Sequence, residues 1–320
     1  MEENKERDMQ TDEISVEKRS SVFLRDLVSG ACIGVAFIIP GFSGGSVAAI
    51  LGIYEKLINA IAGIFKETKQ SIKTLFPIFI GLVLGVAALL FPLEFLIGRF
   101  PLPTVSVFVG LALGGLPSLV PKLRTGTVKV SSYSFATALI VAAMLSFIPV
   151  GSDVDLFNVG FGGYVLLFLV GVLGSSALVV PGISGSMLLL ILGYYNPIVN
   201  LVTNHLLRFE DVGKCVLVLG ACGAGMAVGF LLISLLMKYL LQKHVGATYA
   251  AIVGFIIGSI PTVYVSTMKS AGMITQSFEI VSVPNSPLHY GICLFFLIMG
   301  ACASYYFAVA AGKSAQDEEK

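Results

Sequence analysis

The sequence predicts an all-α polytopic membrane protein built of two inverted-topology repeats, each a re-entrant or broken helical hairpin plus three transmembrane helices. Three observations predict it. Of 320 residues, 56% are hydrophobic and 12% charged, about half the charged fraction of a soluble domain. Apolar runs near the ~20 residues needed to cross a bilayer recur along the chain. A Pro-Gly-x-Ser-Gly phrase occurs twice, each time inside an apolar region. Mean hydropathy of +0.92 leaves too little polar surface to cover a water-soluble globule. A disordered chain, a disulfide-stapled secreted fold and a basic nucleic-acid binder are excluded together.

Residues 1–21 form a charged tail with no apolar leader core. The first repeat, 22–150, opens with an apolar region, 27–64, broken at Pro40-Gly41-Phe42-Ser43-Gly44-Gly45-Ser46. Proline removes a backbone donor, and glycine and serine weaken the helix on either side. The arm Leu27–Ile39 has 13 residues, roughly 20 Å of helix and too short to cross; the return arm is expected as one helix over 47–64. Three crossings follow: Leu75–Ile97, Thr104–Val120 and Tyr133–Val150. An external linker, 151–159, leads to the second repeat, 160–312. Its apolar region, 162–204, breaks at Pro181-Gly182-Ile183-Ser184-Gly185-Ser186. The crossings Cys215–Leu236, Ala247–Val265 and Tyr290–Ala311 complete it, and 313–320 is a second charged tail. The five cysteines sit in apolar stretches without CxxC spacing or a nearby histidine, which reads as helix packing and not as a metal site.

Lysine and arginine decide whether the broken regions cross or return, because short cytoplasmic loops are enriched in them. Returning hairpins place 15 basic residues inside and 4 outside; single crossings give 10 against 9. The hairpins win, with both termini cytoplasmic. Each half then has an odd number of crossings, so the second enters from the opposite side. The halves also match in sequence. At an offset of 141, Ile50-Leu51-Gly52 pairs with Ile191-Leu192-Gly193 and Tyr54 with Tyr195. At 144, Val109-Gly110, Gly114 and Pro117 pair with Val253-Gly254, Gly258 and Pro261. Inverted halves with interrupted segments at matching positions place a transporter's binding site at those interruptions. Gly81, Gly85, Gly220, Gly225 and Gly229 read instead as close helix contacts.

A hairpin tip in hydrocarbon is tolerable only where protein or a water-filled cavity covers it. Free N–H groups at a helix start favour an anion, and Ser43, Ser46, Ser184 and Ser186 add hydroxyl donors. The expected ligand is a small anionic group, and sequence physics stops there. The phrases PGFSGGSVAAILGIYEKLINAI and VPGISGSMLLLILGYYNPIV resemble the paired signatures of the polyprenyl-phosphate transporter family, over most of 25–310. The resemblance implies a bacterial plasma-membrane flippase returning undecaprenyl phosphate, the lipid carrier of cell-wall polymer synthesis, from the outer to the inner leaflet. It carries over to Pro40, Gly41, Ser43, Gly44, Gly45, Gly52 and Tyr54, and to Pro181, Gly182, Ser184, Gly185, Gly193 and Tyr195. Ser46 stands where the family often has threonine, keeping the hydroxyl; Asn196 stands where the first half has Glu55.

Inward movement of each negative charge is opposed by about 2.3 kcal/mol per 100 mV, so net recycling needs a co-transported cation (proton or sodium) or consumption of the lipid inside. No other cofactor, metal or nucleic-acid partner is expected. Glu94 and Arg99, five apart at a span's end, could pair, face a vestibule or simply snorkel. Glu55 and Lys56 read as a site rim or a salt bridge. Two other classes stay open: a transporter or channel for another anion, and an intramembrane lipid hydrolase. Gly41-Phe42-Ser43-Gly44-Gly45 satisfies the GxSxG pattern, but no histidine lies at comparable depth and the second copy breaks the pattern.

Overall fold

The computed structural model describes residues 21–317 except 40, 41, 126, 146, 147, 149, 150, 152, 157, 158, 207, 209, 210, 276–279 and 283–285. Among the described residues there is one isolated antiparallel bridge, Ile274 with Ile280, and otherwise only helices and connections.

The first apolar run forms α1 (Ser21–Ile38), 18 residues, about 27 Å of helix. That corrects the expected short arm: helix already covers the six described residues ahead of the apolar run, because Asp26 is neutralised within the fold and does not end it. After the turn come α2 (Gly44–Ile50) and α3 (Tyr54–Ala62), bent 119° from one another. The expected single return helix is therefore two, because Gly52 takes a left-handed φ of +72° between them, a conformation in which glycine carries no Cβ penalty. Lys56 of α3 reaches back to Asp26 near the start of α1, so the chain has doubled back by that point.

The crossings follow as α4 (Thr68–Arg99), α5 (Pro101–Gly115), a 3-10 turn (Leu116–Leu119) running into α6 (Val120–Leu123), and α7 (Val128–Leu145). The second half repeats the order: α8 (Phe161–Val179), α9 (Gly185–Ile191), α10 (Tyr195–Asn200) with a π turn over Leu201–Leu206, α11 (Val212–Lys243), α12 (Val245–Gly258), α13 (Ile260–Ser270) and α14 (Pro287–Asp317). Gly193, φ +78°, breaks α9 from α10 as Gly52 breaks α2 from α3. Here too the chain returns: the amide of Gly151 donates to Leu190 and Ile191, and that of Val154 to Gly193, so the linker ahead of α8 lies against the segment that follows the second turn. Among the described residues, eight helices or continuous helix pairs are long and apolar enough to cross a membrane, with α2–α3 a further broken pair. The helix of the last crossing runs on to Asp317, through residues expected to begin the C-terminal tail.

Glycine sets the pairing of the long helices. A Cβ on Gly81 would lie 1.9 Å from the Leu27 carbonyl oxygen, and one on Gly30 2.0 Å from that of Ile78, which locks α1 to α4. In the second half Gly171 and Gly225 do the same between α8 and α11. Gly85 and Gly229 also make their expected close contacts; Gly220 has nothing within 4 Å, so that expectation is corrected. The remaining pairs exchange between halves: α5 packs on α14 through Gly110 and Gly114, and α12 on α7 through Gly254 and Gly258. The core centres on the first hairpin, where Ile33, Ala48, Tyr54 and Ile58 pack with Val179, Tyr249, Ile252 and Ile256 of the second half. Large apolar side chains such as Phe76, Phe91, Phe95, Leu217 and Phe295 face outward, as a lipid-facing surface requires. Cys215 and Cys222 are buried, Cys293 is half-buried, and Cys32 and Cys302 are exposed.

Candidate functional site

The two turns meet at the centre of this arrangement. Ser43 stands at the head of α2 in extended conformation (φ −111°, ψ 127°), and Ser184 holds the same place before α9 (φ −91°, ψ 123°). Neither hydroxyl caps its own helix. The Ser43 carbonyl accepts from the amides of Ser46 and Val47, while those of Gly44 and Gly45 have no backbone acceptor among the described residues. Gly182 takes φ +85°, and a Cβ there would lie 2.5 Å from the Phe255 backbone, so the position demands glycine twice over. Pro181 is fully buried beside it. A Cβ on Gly45 would lie 3.3 Å from Pro181 Cα and from the Val179 carbonyl oxygen: the two turns touch. The buried Tyr54 hydroxyl donates to that same Val179 oxygen at 2.9 Å, tying the first hairpin to the mouth of the second.

Between the turns lies a chamber of about 200 Å³ bordered by Ser43, Ser184, Gly185, Tyr195, Phe42 and Met226. Among the described residues, no lysine, arginine, histidine, aspartate or glutamate lines it. Ser43 is 4% exposed and its Oγ has no hydrogen-bond partner among the described residues. Leaving a hydroxyl unsatisfied in an apolar interior costs about 1–3 kcal/mol, a cost that a bound acceptor would remove. Beside the chamber runs an apolar slot of about 250 Å³ that begins at Gly44 and Gly45 and continues between α1, α3 and α4. Phe37 and Leu178 border both spaces. Phe37 and Phe79, at the slot's edge, are exposed on the lipid-facing side.

Of the residues singled out in sequence, the structure brings Ser43, Ser184, Gly185 and Tyr195 to the chamber, with Gly44, Gly45 and Tyr54 on the slot. Ser46 is buried and lines neither. Pro40 and Gly41 lie outside the described residues, as does the side chain of Ser186. Glu94 and Arg99 are both exposed on α4 and make no ion pair with each other. Glu55 accepts from the Tyr249 hydroxyl at 2.6 Å and pairs with the Lys122 ammonium, which also lies 5.1 Å from the Tyr249 ring centre. Lys56 donates to both Asp26 oxygens at 2.7 and 2.5 Å, and Asp26 is buried. Sequence reasoning missed Asp26, Lys122 and Tyr249; their partners are 30, 67 and 194 residues away, and no local pattern signals them.

Fold and site together define a polytopic helical membrane protein with two broken hairpins closing on a small, mostly apolar chamber to which Ser43, Ser184 and Tyr195 contribute hydroxyl groups. Residues 33–281 match the family described as undecaprenyl phosphate translocase-like. The chain is 32% identical over 254 residues to the polyprenyl-phosphate transporter of Staphylococcus aureus (strain NCTC 8325 / PS 47), an alignment covering 75% of this chain and 85% of the relative. It is 25% identical over 258 residues to the polyprenyl-phosphate transporter of Vibrio cholerae serotype O1 (strain ATCC 39315 / El Tor Inaba N16961), covering 76% of this chain and 78% of that one. No solved structure matches it. The chain belongs to the undecaprenyl phosphate translocase-like family.

Proposed function

We propose that this protein is a non-enzymatic flippase that carries undecaprenyl phosphate from the outer to the inner leaflet of a bacterial plasma membrane, returning the carrier to wall-polymer synthesis. The phosphate sits in the chamber between the two Pro-Gly-x-Ser-Gly turns, and the polyprenyl chain stays in the adjoining slot and the lipid. The observation that carries this reading is the buried Ser43 hydroxyl, unpartnered among the described residues, beside a chamber that Ser184 and Gly185 also line and that no charged side chain among the described residues borders. α2 and α9 are seven residues each, so their dipoles are small; the hydroxyls and free amides of the turns do most of the binding. A bare phosphate in hydrocarbon would cost tens of kcal/mol, and these donors replace part of its hydration.

The slot favours a lipid over a free anion, since a pore for a free anion needs no apolar groove opening toward the bilayer. A hydrolase is disfavoured because no general base among the described residues lines the chamber. The exchange of α5–α14 and α12–α7 between halves fits two repeats related by inversion, with both termini cytoplasmic. Inward movement against the membrane potential is then driven by a co-transported proton or sodium ion, or by consumption of the lipid inside. Leaflet-resolved detection of undecaprenyl phosphate in cells lacking and overproducing the protein tests the reading. Loss should raise the outer-leaflet pool and overproduction should lower it; an unchanged distribution refutes it. Proteoliposome uptake that ignores imposed proton, sodium and voltage gradients would remove the coupling.

A further inference from the structure

A second polar cavity, of about 500 Å³, has no part in the turn chamber. It is walled by three helices: α3 through Lys56 and Asn59, the first turns of α4 through Gln70 and Thr74, and the last turns of α11 through Lys238 and Gln242. The same three helices wall the apolar slot, through Leu57 and Ile58, Leu75 and Ile78, and Phe230. One face of α3 therefore lines polar space and the adjacent face lines apolar space, with the spacing of a two-faced helix. The slot shares Phe37 and Leu178 with the chamber, and its Leu57, Ile58 and Leu75 are chain neighbours of the cavity's Lys56, Asn59 and Thr74.

The charges of the cavity differ in how far they are spent. Lys56 is held by the buried carboxylate of Asp26. Lys238 has no ion-pair partner among the described residues. Glu67 lies on the wall with the first residues of α4 and is exposed. The amides of Asn59, Gln70 and Gln242 and the hydroxyl of Thr74 add donors that suit phosphate oxygens.

We propose that this cavity is a second headgroup station, in which Lys238 receives the phosphate of a lipid whose first chain units remain in the slot. The proposal rests on the reading of the chamber above. The shared chemistry is a phosphate group, from either a prenyl phosphate or free phosphate. The slot shares Phe37 and Leu178 with the chamber and the helices α3, α4 and α11 with the cavity, so in this proposal the phosphate moves between the two stations while its chain stays in apolar surroundings.

The test uses the full-length chain in phosphatidylcholine nanodiscs. Thiols are introduced by Gln242→Cys in the cavity and, separately, Leu189→Cys in the chamber. Labelling by a polar maleimide is read peptide by peptide, which separates each introduced thiol from the native cysteines. Farnesyl phosphate should slow labelling at the Gln242→Cys thiol about tenfold, the size of one charge-assisted hydrogen bond. Farnesol should not, and adding Lys238→Gln should abolish the protection. Equal protection by farnesol, or protection that survives Lys238→Gln, overturns the proposal. Equal protection by inorganic phosphate assigns the cavity to free phosphate and overturns its place in the lipid's path. Protection at the Leu189→Cys thiol alone refutes the second station and leaves the chamber reading standing; protection at neither thiol refutes the chamber reading itself. Should Gln242→Cys not assemble, Asn59→Cys on the facing wall gives the same readout.

Discussion

The two hairpins share a turn sequence but differ in the arm that follows it. After the first turn, three consecutive residues clamp α3 to three different parts of the fold: Tyr54 to the Val179 carbonyl, Glu55 to Tyr249 and Lys122, and Lys56 to Asp26. After the second, the same places hold Tyr195, Asn196 and Pro197. Tyr195 borders the chamber, Asn196 makes one exposed hydrogen bond to Asp153 at 3.2 Å, and Pro197 has no amide to donate. α3 buries Tyr54, Ile58, Ala60, Ile61 and Ala62, whereas its counterpart α10 contributes no buried residue and runs on into a π turn. Segments with few buried contacts open at the lowest free-energy cost. In the proposed flippase, a chamber that opens to alternate sides needs one fixed wall and one that yields; the contacts of the first hairpin suit it to the former and those of the second to the latter.

The largest expected effect breaks the clamp. Lys56→Met leaves Asp26 buried without its partner, a change that costs about 3–5 kcal/mol, whereas Asn196→Ala at the matching position should stay within about 0.5 kcal/mol. Unfolding in detergent micelles measures both, and similar losses at the two positions would dissolve the contrast between the hairpins. The tyrosines come next. Tyr54→Phe strands the buried Val179 carbonyl and should cost about 1–3 kcal/mol. Tyr195→Phe should leave stability within about 0.5 kcal/mol and show itself, if anywhere, in transport.

The breaks at Gly52 and Gly193 sharpen the comparison from the other side, because here the hairpins agree. Both glycines are left-handed. A substituted Cβ costs roughly 1–2 kcal/mol in that conformation, so Gly52→Ala and Gly193→Ala should destabilise by similar amounts. At Gly52 the added atom meets nothing within 4 Å, which makes its loss a measure of backbone strain alone.

What was legible in the sequence follows the range of the interaction. Apolar runs mark the crossings, and the 141-residue offset pairs the turns and both chain breaks, because each depends on residues close together in the chain. The start of α1 was hidden: Arg25 and Asp26 look like the end of a solvated tail until Lys56 arrives to neutralise the acid. Pro261 marks the start of α13, yet the break of α12 at Ser259 is smooth enough for both to read as one crossing. At the site, the turns were readable from their own residues. The absence of charge around the chamber, the slot beside it and the Glu55–Tyr249–Lys122 contact were not, since each is made by residues from both halves.

The smallest effect on stability should carry a large effect on transport. A Cβ on Gly185 would come no closer than 3.4 Å to any neighbour, the Gly174 carbonyl oxygen, so Gly185→Ala fits the fold and should change stability by no more than about 0.5 kcal/mol. Gly185 borders the chamber, however, and the added methyl takes up space beside Ser184 where the phosphate is proposed to sit. Gly44→Ala meets Phe37 at 2.9 Å and Ile33 at 3.0 Å, and must push side chains aside to fit. The first substitution should therefore lower proteoliposome uptake of prenyl phosphate without loosening the protein, and the second should do both. The valine variants enlarge the same contrast, and each should abolish transport while the chain still inserts. Wild-type uptake in Gly185→Val would mean that the second turn's backbone does not approach the ligand, and the yielding wall would then have to act through Tyr195 and Ser184 instead.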